Sequence, residues 1–421
     1  MTHTQFPIGF WNILSATQLG PEAVADWKDF GTTLTMTGTY DPGQDKQAFL
    51  AVLDECAKQH IQLLVSDRRL GYDLSADEAQ YRENVRQVTA DFAWHPAVCG
   101  FHLGDEPGAA QTENAIRAVR IFREICPDKL PFLNLLPWYS DEFGGVEARV
   151  AARADYKDYL IDFVRRSGIP ILSYDCYFQL EEEHGQPTAR AWETYYRNLR
   201  IFKEAAAETG VELWYTTLAV GHMMYRCPTR DDLRWEINTA VAHGVKALFY
   251  WFLYSGFYNA NYRYAPINEL FERTETFSWL STENRLFARV FGQVFTRLQL
   301  EQVSHVGKAY GGFPLFDEDS DRHIARVYNK NGVPMILSRF SCAERPGYAF
   351  YAVVDNSVTD STCTGIVFRE PTEVYEVRST ETDMQLIPLG LQTEIAYWFS
   401  PGQMWVIAVK ETEELGAKAK S

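Results

Sequence analysis

Two neighbouring carboxylates, Asp105 and Glu106, end a short apolar run and are followed directly by Pro107. Burying an ionised carboxylate is costly unless it is paired, so two of them at the end of a strand need a compensating role. General acid–base chemistry is the usual reason for tuned carboxylates at such a position. Pro107 disfavours helical angles at Glu106, which keeps this side chain at the strand end.

The segments around this pair alternate between short apolar runs and longer amphipathic stretches. Eight such strand-and-helix units before residue 300 predict a (β/α)8 barrel, whose active site lies at the carboxyl ends of the strands. A doubly wound open sheet is the rival, but the first strand lacks the glycine-rich phosphate turn typical of that fold. The predicted strands span residues 8–13, 33–40, 61–66, 98–103, 132–136, 170–174, 211–217 and 245–252.

Beyond residue 300 the pattern changes to short strands separated by turn clusters such as 329–332 and 355–357. This pattern predicts a small all-β domain of the sandwich type. We therefore expect a barrel domain over residues 1–300, a β-sandwich accessory domain over 301–412 and a polar tail over 413–421.

Composition and charge exclude several classes of partner. A formal net charge of −16 argues against nucleic acid and against an anionic membrane. Seven widely spaced cysteines without a CxxC pair indicate packed thiols in a reducing compartment rather than a disulfide scaffold or zinc knuckle. The first residues do not resemble a signal peptide, and no apolar run approaches the ~20 residues of a membrane helix, so we expect a cytoplasmic protein. A homo-oligomer is compatible with the sequence.

The barrel prediction selects the polar and aromatic residues that follow each strand. In chain order these candidates are Asp67, Arg68, Arg69, His102, Asp105, Glu106, Asn134, Trp138, Tyr139, Tyr174, Asp175, Tyr177, Thr217, His222, Trp251, Tyr254 and Asn259. Strand alternation puts Glu106 and His102 on one face of the strand and Asp105 on the opposite face. We therefore expect the second carboxylate to come from another strand. Asp175 is the preferred partner of Glu106, and Asp67 is next.

Structural interpretations of the same residues stay open. Glu106 could pair with Arg68 or Arg69, Asp105 could cap the following helix, and Asp175 could accept backbone N–H bonds. Four aromatic residues are either sugar-stacking platforms or packing at the rim: Trp138, Trp251, Tyr254 and Tyr258.

A barrel with Glu before Pro at the end of strand four, Trp251 near the end of strand eight and a following β domain resembles clan A of the glycoside hydrolases. The resemblance covers residues 5–300 and implies that Glu106 is the general acid/base. This chain differs from the clan in having Asp105 where Asn is usual. It also has only Glu212 in the seventh-strand region, at the end away from the expected nucleophile.

The Asp-Glu pair also resembles hexosaminidases that use the acetamido group of the substrate as the nucleophile. That resemblance implies that Asp105 orients the acetamido group, Glu106 donates the proton and a nearby tyrosine holds the carbonyl. It would also account for the lack of a strand-seven carboxylate.

These resemblances imply a glycosidase without a cofactor, in which Glu106 and Asp105 are catalytic. The strand-end argument adds Asp175 as the second carboxylate, and because no export signal is recognised we expect a small glycoside or oligosaccharide as the substrate. A carboxyl separation near ~5 Å would mean retention, and roughly 6.5–9.5 Å inversion. The expected substrate contacts are Asp67, Arg68, His102, Asn134, Trp138, Tyr174, Tyr177, His222, Trp251 and Tyr254.

Two other functions remain open. One is a non-catalytic carbohydrate-binding barrel. The other is a metal-dependent hydrolase of amides or phosphates, with ligands from Asp67, His102, Glu106 and His222. No ligand spacing supports that metal site, so we expect none.

Overall fold

The computed structural model describes residues 4–72, 77–139, 156–180, 188–258 and 261–411. The chain divides into two compact units. The barrel unit consists of residues 7–228 and 247–284, and the C-terminal unit consists of residues 1–6, 229–246 and 285–421. These units interleave along the chain, and the predicted boundaries at residues 300 and 412 stay predictions. The predicted tail 413–421 lies outside the described residues.

The barrel unit is built on eight parallel strands. They are β1 (Ile8–Phe10), β2 (Leu34–Met36), β3 (Gln62–Ser66), β4 (Val98–Asp105), β5 (Leu130–Leu135), β6 (Ile171–Asp175), β7 (Glu212–Leu218) and β9 (Ala247–Trp251). A short antiparallel pair, β8 (Gly221–His222) and β10 (Tyr262–Arg263), follows β7 and β9. The strand order β1-β9-β7-β6-β5-β4-β3-β2 is that of a nearly closed barrel, which confirms the predicted fold.

Helices alternate with these strands along the chain. They are α1 (Ala23–Phe30), α2 (Lys46–Lys58), α3 (Glu78–Phe92), α4 (Thr112–Ile125), α5 (Tyr156–Ser167), α6 (Ala189–Thr209), α7 (Arg230–Ala242) and α8 (Glu275–Phe287). Local sequence fixes several of their ends. Asp45 and Thr188 accept hydrogen bonds from backbone N–H groups in the first turns of α2 and α6, and Gly210 ends α6 in the left-handed conformation. No helix in the described part of the chain is long and apolar enough to cross a bilayer.

Threonine hydroxyls close the barrel between β1 and β2. The Thr33 N–H donates to the Ile8 carbonyl oxygen at 2.9 Å, and Thr33 Oγ1 accepts from the Ile8 N–H at 2.9 Å. Thr35 Oγ1 accepts from the Phe10 N–H at 3.1 Å and donates to the Phe10 carbonyl oxygen at 2.9 Å. Side chains therefore satisfy backbone groups that a regular ladder would have paired.

Aromatic side chains fill the barrel interior. The ring of Phe249 on β9 stacks on Phe132 of β5 at 5.6 Å and on Trp214 of β7 at 5.8 Å, and all three are fully buried. Such stacking adds to the stabilisation that burial of each ring already provides. Because the centre is filled, a ligand must bind at the strand ends.

The C-terminal unit contains an antiparallel β domain, which confirms the predicted all-β architecture. Its strands are β11 (Gln299–Val306), β12 (Ile324–Asn329), β13 (Met335–Ser341), β14 (Tyr348–Asp355), β15 (Thr362–Ser379), β16 (Met384–Phe399) and β17 (Met404–Lys410). The long strand β15 pairs with β12 through its first half and with β17 through its second half. Alternate apolar residues of six strands, β12 to β17, form one buried core.

Candidate active site

A β-bulge near the end of β4 turns Asp105 toward the barrel interior. His102 stands opposite Phe132 of β5, but Asp105 stands opposite Asn134, so β4 uses one residue more than its partner. Gly104, at φ +146°, lies within this irregularity, where a side chain would be strained. The expected alternation, which put Asp105 on the face opposite to His102, was therefore wrong.

Glu106 follows the bulge in a left-handed conformation. Its φ is +44°, which costs on the order of 1–3 kcal/mol for a residue with a side chain and must be held by its surroundings. The Glu106 N–H donates to the Asn134 carbonyl oxygen at 2.9 Å. The backbone thus brings two consecutive carboxyl side chains to the same end of the barrel.

The Asn134 side chain connects three strands at this position. Its Nδ2 donates to Asp175 Oδ1 at 2.7 Å and to Asp105 Oδ1 at 3.1 Å. Its Oδ1 accepts from the Ser173 hydroxyl at 3.0 Å, which fixes the orientation of the amide. Asn134 therefore holds the carboxyl groups of β4 and β6 next to each other.

Asp175 is buried and hydrogen-bonded to Glu106. Burial, the negative charge of Glu106 and this hydrogen bond raise the pKa of the Asp175 carboxyl well above its usual range, while the Asn134 amide opposes the shift. Two carboxyl groups can share a hydrogen bond only when one of them is protonated. The pair therefore retains a proton and titrates as a unit.

Asp105 is the carboxylate of this cluster that is exposed to solvent. The surrounding protein still removes much of the hydration of its carboxyl. This desolvation and the charge of Asp175 raise the pKa of Asp105 to about 7, against the hydrogen bond from Asn134. The Asp105 carboxyl therefore loses its proton near neutral pH.

Three tyrosines adjoin the carboxyl groups: Tyr139 after β5, Tyr177 after β6 and Tyr225 after β8. Tyr225 is hydrogen-bonded to Tyr139, and its ring lies 5.4 Å from that of Tyr177. Burial is the main cause that raises the pKa of each hydroxyl, and the charge of Asp175 adds to it. These hydroxyls are therefore neutral donors near neutral pH. Tyr225 was not among the residues predicted from the sequence.

Trp11, which directly follows β1, forms an aromatic group with two predicted residues. Its ring lies 5.3 Å from His102 and 5.6 Å from Trp251, and its Nε1 donates to Thr216 Oγ1 at 3.1 Å. Burial lowers the pKa of His102 to about 4, so the imidazole is neutral. His102 Nε2 is buried and has no hydrogen-bond partner among the described residues.

Asp67 and Arg68 belong to other ion pairs. Arg69 binds Asp67 through two hydrogen bonds, Nε at 3.0 Å and an Nη at 2.8 Å, and also contacts Asp91 at 2.8 Å. Arg68 is exposed and lies 3.4 Å from Asp41. The side chain of Asp67 is thus occupied by Arg69, which explains its burial without a ligand.

Tyr174 and Tyr254 face away from the carboxyl cluster. Tyr174 stacks on Phe202 of α6 at 4.0 Å, because strand alternation turns it outward when Asp175 points inward. Tyr254 accepts a hydrogen bond from Trp27 Nε1 at 3.0 Å. Their predicted substrate contacts are therefore not supported by their positions.

The remaining predicted residues lie in or after the later strands of the barrel unit. The Trp138 ring is covered by the Arg197 guanidinium at 3.7 Å. His222 is hydrogen-bonded to Asn261 at 3.1 Å and stacks on Tyr262 at 4.9 Å. Thr217 is buried, and Asn259 lies outside the described residues. Among the described residues, no group of three or more His, Cys, Asp and Glu side chains is arranged to hold a metal ion.

Comparison with known proteins identifies the fold alone. No family model matches the chain, and no curated protein sequence matches it. A glycoside hydrolase family 5 structure from Bacteroides vulgatus superposes with a TM-score of 0.57 at 11% identity, covering 96% of this chain and 89% of that one. A second structure, described as a glycoside hydrolase, gives a TM-score of 0.53 at 10% identity, with 97% and 93% covered.

A β-galactosidase from Halorubrum lacusprofundi gives a TM-score of 0.51 at 11% identity, covering 67% of this chain. The chain spans only 58% of that protein and 59% of a β-galactosidase from Marinomonas. At these identities the similarity establishes a shared barrel architecture.

Proposed function

We propose that this protein is a glycoside hydrolase in which Glu106 is the general acid. The observation that carries the proposal is the hydrogen-bonded pair of Glu106 and Asp175, which retains a proton at the carboxyl end of the barrel strands. The departing oxygen of a glycoside requires a protonated donor, and the proton that burial holds on Asp175 can reach that oxygen through its hydrogen bond to Glu106. The similarity of the fold to glycoside hydrolase structures is consistent with this chemistry.

In the proposed reaction, Glu106 transfers the shared proton to the glycosidic oxygen as the bond from that oxygen to the anomeric carbon breaks. The bonding electrons leave with the oxygen. Before this transfer Asp175 is hydrogen-bonded to Glu106 and, with Asn134, holds it in place. Glu106 then accepts a proton from the water that completes hydrolysis.

Asp175 does not fit the role of nucleophile or base that its position on β6 suggested. Those roles require carboxyl separations of about 5 Å for retention or roughly 6.5–9.5 Å for inversion. Asp175 is hydrogen-bonded directly to Glu106, which leaves no space between the two carboxyl groups for an anomeric carbon and a water molecule. We therefore assign Asp175 to proton sharing with the acid.

A second candidate is hydrolysis of 2-acetamido sugars with the acetamido group as nucleophile. It is favoured because the accessible carboxylate next to Glu106 is Asp105, whereas Asp175 is buried. Asp105 would accept the acetamido N–H, and a hydroxyl of the tyrosine group would donate to its carbonyl oxygen. That oxygen would then attack the anomeric carbon.

A panel of 4-nitrophenyl glycosides, including 2-acetamido-2-deoxy glycosides, tests the proposal with wild type and Glu106→Gln. We expect kcat/KM to fall about 10²–10⁴-fold in Glu106→Gln. Glu83→Gln, an exposed glutamate of α3, should match wild type. Hydrolysis by Glu106→Gln at the wild-type rate would remove Glu106 from the role of acid.

The same panel separates the alternatives. Hydrolysis of acetamido sugars alone, with tight inhibition by a thiazoline analogue of the cyclised acetamido group, would support the second candidate. In that case Asp105→Asn should lose activity as strongly as Glu106→Gln. Sugar binding without turnover, unchanged in Glu106→Gln, would instead indicate a carbohydrate-binding protein and contradict the proposed hydrolase.

A further inference from the structure

We propose that Tyr72, which follows β3, is a positioning residue that holds the turn carrying Asp105 and Glu106. This inference rests on the proposed function of that turn. Nothing in the sequence around Tyr72 indicated such a role, and its hydroxyl is committed to the backbone rather than directed at a ligand. The Tyr72 hydroxyl donates to the Asp105 carbonyl oxygen at 2.9 Å.

The Tyr72 ring also packs on Gly104. A Cβ atom built on Gly104 would lie 2.2 Å from Cδ1 and 2.5 Å from Cε1 of this ring. Real Cβ atoms do not approach other atoms so closely, so the ring and the glycine backbone are in direct contact. Gly104 is therefore required for two reasons: its φ of +146° and the tyrosine ring that covers it.

The turn is held from two sides. Tyr72 binds the Asp105 carbonyl on the β3 side, and Asn134 of β5 accepts from the Glu106 N–H at 2.9 Å. Glu106 itself is in the unfavourable left-handed region, at φ +44°, and would relax if either contact were lost. Relaxation would rotate the Glu106 side chain away from Asp175, with which it shares its proton.

The first test uses Tyr72→Phe, which keeps the ring, and Tyr72→Ala, which removes it. On a glycoside that wild type hydrolyses, we expect kcat to fall about tenfold in Tyr72→Phe and further in Tyr72→Ala. KM should stay within about twofold, because the tyrosine touches the backbone and not the substrate. Tyr375→Phe, which removes a hydroxyl on β15 of the C-terminal unit, is the matched control and should match wild type.

A double-mutant cycle tests the contact with Gly104. Gly104→Ala alone should lower kcat strongly, because its Cβ would displace the Tyr72 ring. In the double variant Gly104→Ala/Tyr72→Ala the clash is absent, so the two effects should be clearly less than additive. Additive effects, or a change in KM with kcat unchanged, would overturn the positioning role.

Hydrogen exchange provides a readout that does not depend on activity. The amide of Glu106 should exchange faster in Tyr72→Ala than in wild type, since its bond to Asn134 depends on the held turn. Wild-type protection in Tyr72→Ala would overturn this inference even in an active enzyme. Conversely, if the Glu106 amide exchanges faster in Tyr72→Ala but wild type hydrolyses no glycoside, the positioning role is supported and only the proposed function is contradicted.

Discussion

Replacing Asp105 with asparagine should make the stability of the barrel unit less dependent on pH. The pKa of Asp105 in the folded protein is raised to about 7 by partial desolvation of its carboxyl and by the charge of Asp175. The folded state therefore binds this proton more tightly than the unfolded chain does. Wild type should lose stability relative to Asp105→Asn as the pH rises from about 4 to about 8, and the difference should level off above that range.

The size of this effect follows from the shift of the Asp105 pKa from its ordinary value. A shift from 3.8 to about 7 would correspond to about 4 kcal/mol for a fully desolvated group. Asp105 is exposed, so solvent screening reduces this figure, and we expect about 1–2 kcal/mol. For a unit of this size that is a change of about 2–6 °C in Tm.

Thermal unfolding at pH 5 and at pH 8.5 measures this difference directly. The Tm of Asp105→Asn relative to that of wild type should be about 2–6 °C higher at pH 8.5 than at pH 5. Asp128→Asn, an exposed carboxylate before β5, controls for the loss of one surface charge. Because Asp105 and Asp175 interact, the measured titration belongs to the cluster. A difference that is independent of pH, or that grows toward acid pH, would refute this explanation of the carboxyl environment.

Three further predictions test other parts of the structure. Gly9→Ala would place a Cβ 2.0 Å from the facing carbonyl oxygen of β2, so we expect the free energy of unfolding in urea to fall by more than about 3 kcal/mol. For Gly71→Ala no atom of the described residues lies within 4 Å of the new Cβ, and stability should change by less than about 0.5 kcal/mol. His305 is buried, with its Nε2 3.4 Å from Nε2 of His243, and burial lowers the pKa of His305 to about 3. The unfolded chain therefore binds this proton more tightly than the folded protein does, and stability is lost as the pH falls below about 6.5. His305→Phe should show a smaller fall in Tm than wild type between pH 7 and pH 5. The buried Tyr174 hydroxyl has no hydrogen-bond partner among the described residues. Tyr174→Phe should therefore keep the wild-type kcat/KM, and its stability should be unchanged or up to about 1 kcal/mol higher. A fall in kcat/KM would instead place Tyr174 among the substrate contacts.

The barrel was predictable because its strands are short, apolar and separated by amphipathic helices. Each of the eight predicted segments overlaps an observed strand. The ends were less accurate: β1 stops at Phe10 and β2 at Met36, although the predicted segments extend to residues 13 and 40. Beyond Met36 the pairing with the β3 segment continues only as an isolated bridge between Tyr40 and Asp67, and sequence composition does not report where a regular ladder ends.

The β domain shows where alternation fails as a signal. Strand β16 was not predicted, because Pro388 and Gly390 interrupt its apolar pattern. In the structure Pro388 stands opposite Tyr375, next to a shift in the register between β15 and β16. Proline is tolerated at such an irregularity, so its presence did not exclude a strand.

The composition of the carboxyl cluster was largely predictable, but its geometry was not. Asp105, Glu106, Asn134 and Asp175 were all selected as residues that follow strands, and the structure brings them together. The bulge that turns Asp105 inward depends on the backbone of Gly104, which has no signature in a single sequence. The outward direction of Tyr174, in contrast, follows from alternation once Asp175 is placed inward.

Whether Glu106 donates the proton is tested most directly by varying the acidity of the leaving group. A series of aryl glycosides with phenols of decreasing acidity should be hydrolysed by wild type with a weak dependence of kcat/KM on that acidity. Glu106→Gln should approach wild type with the most acidic phenol and lose activity progressively as the phenol becomes less acidic, because a poor leaving group needs the proton. Parallel dependences in the two proteins would contradict the assignment of Glu106 as the general acid.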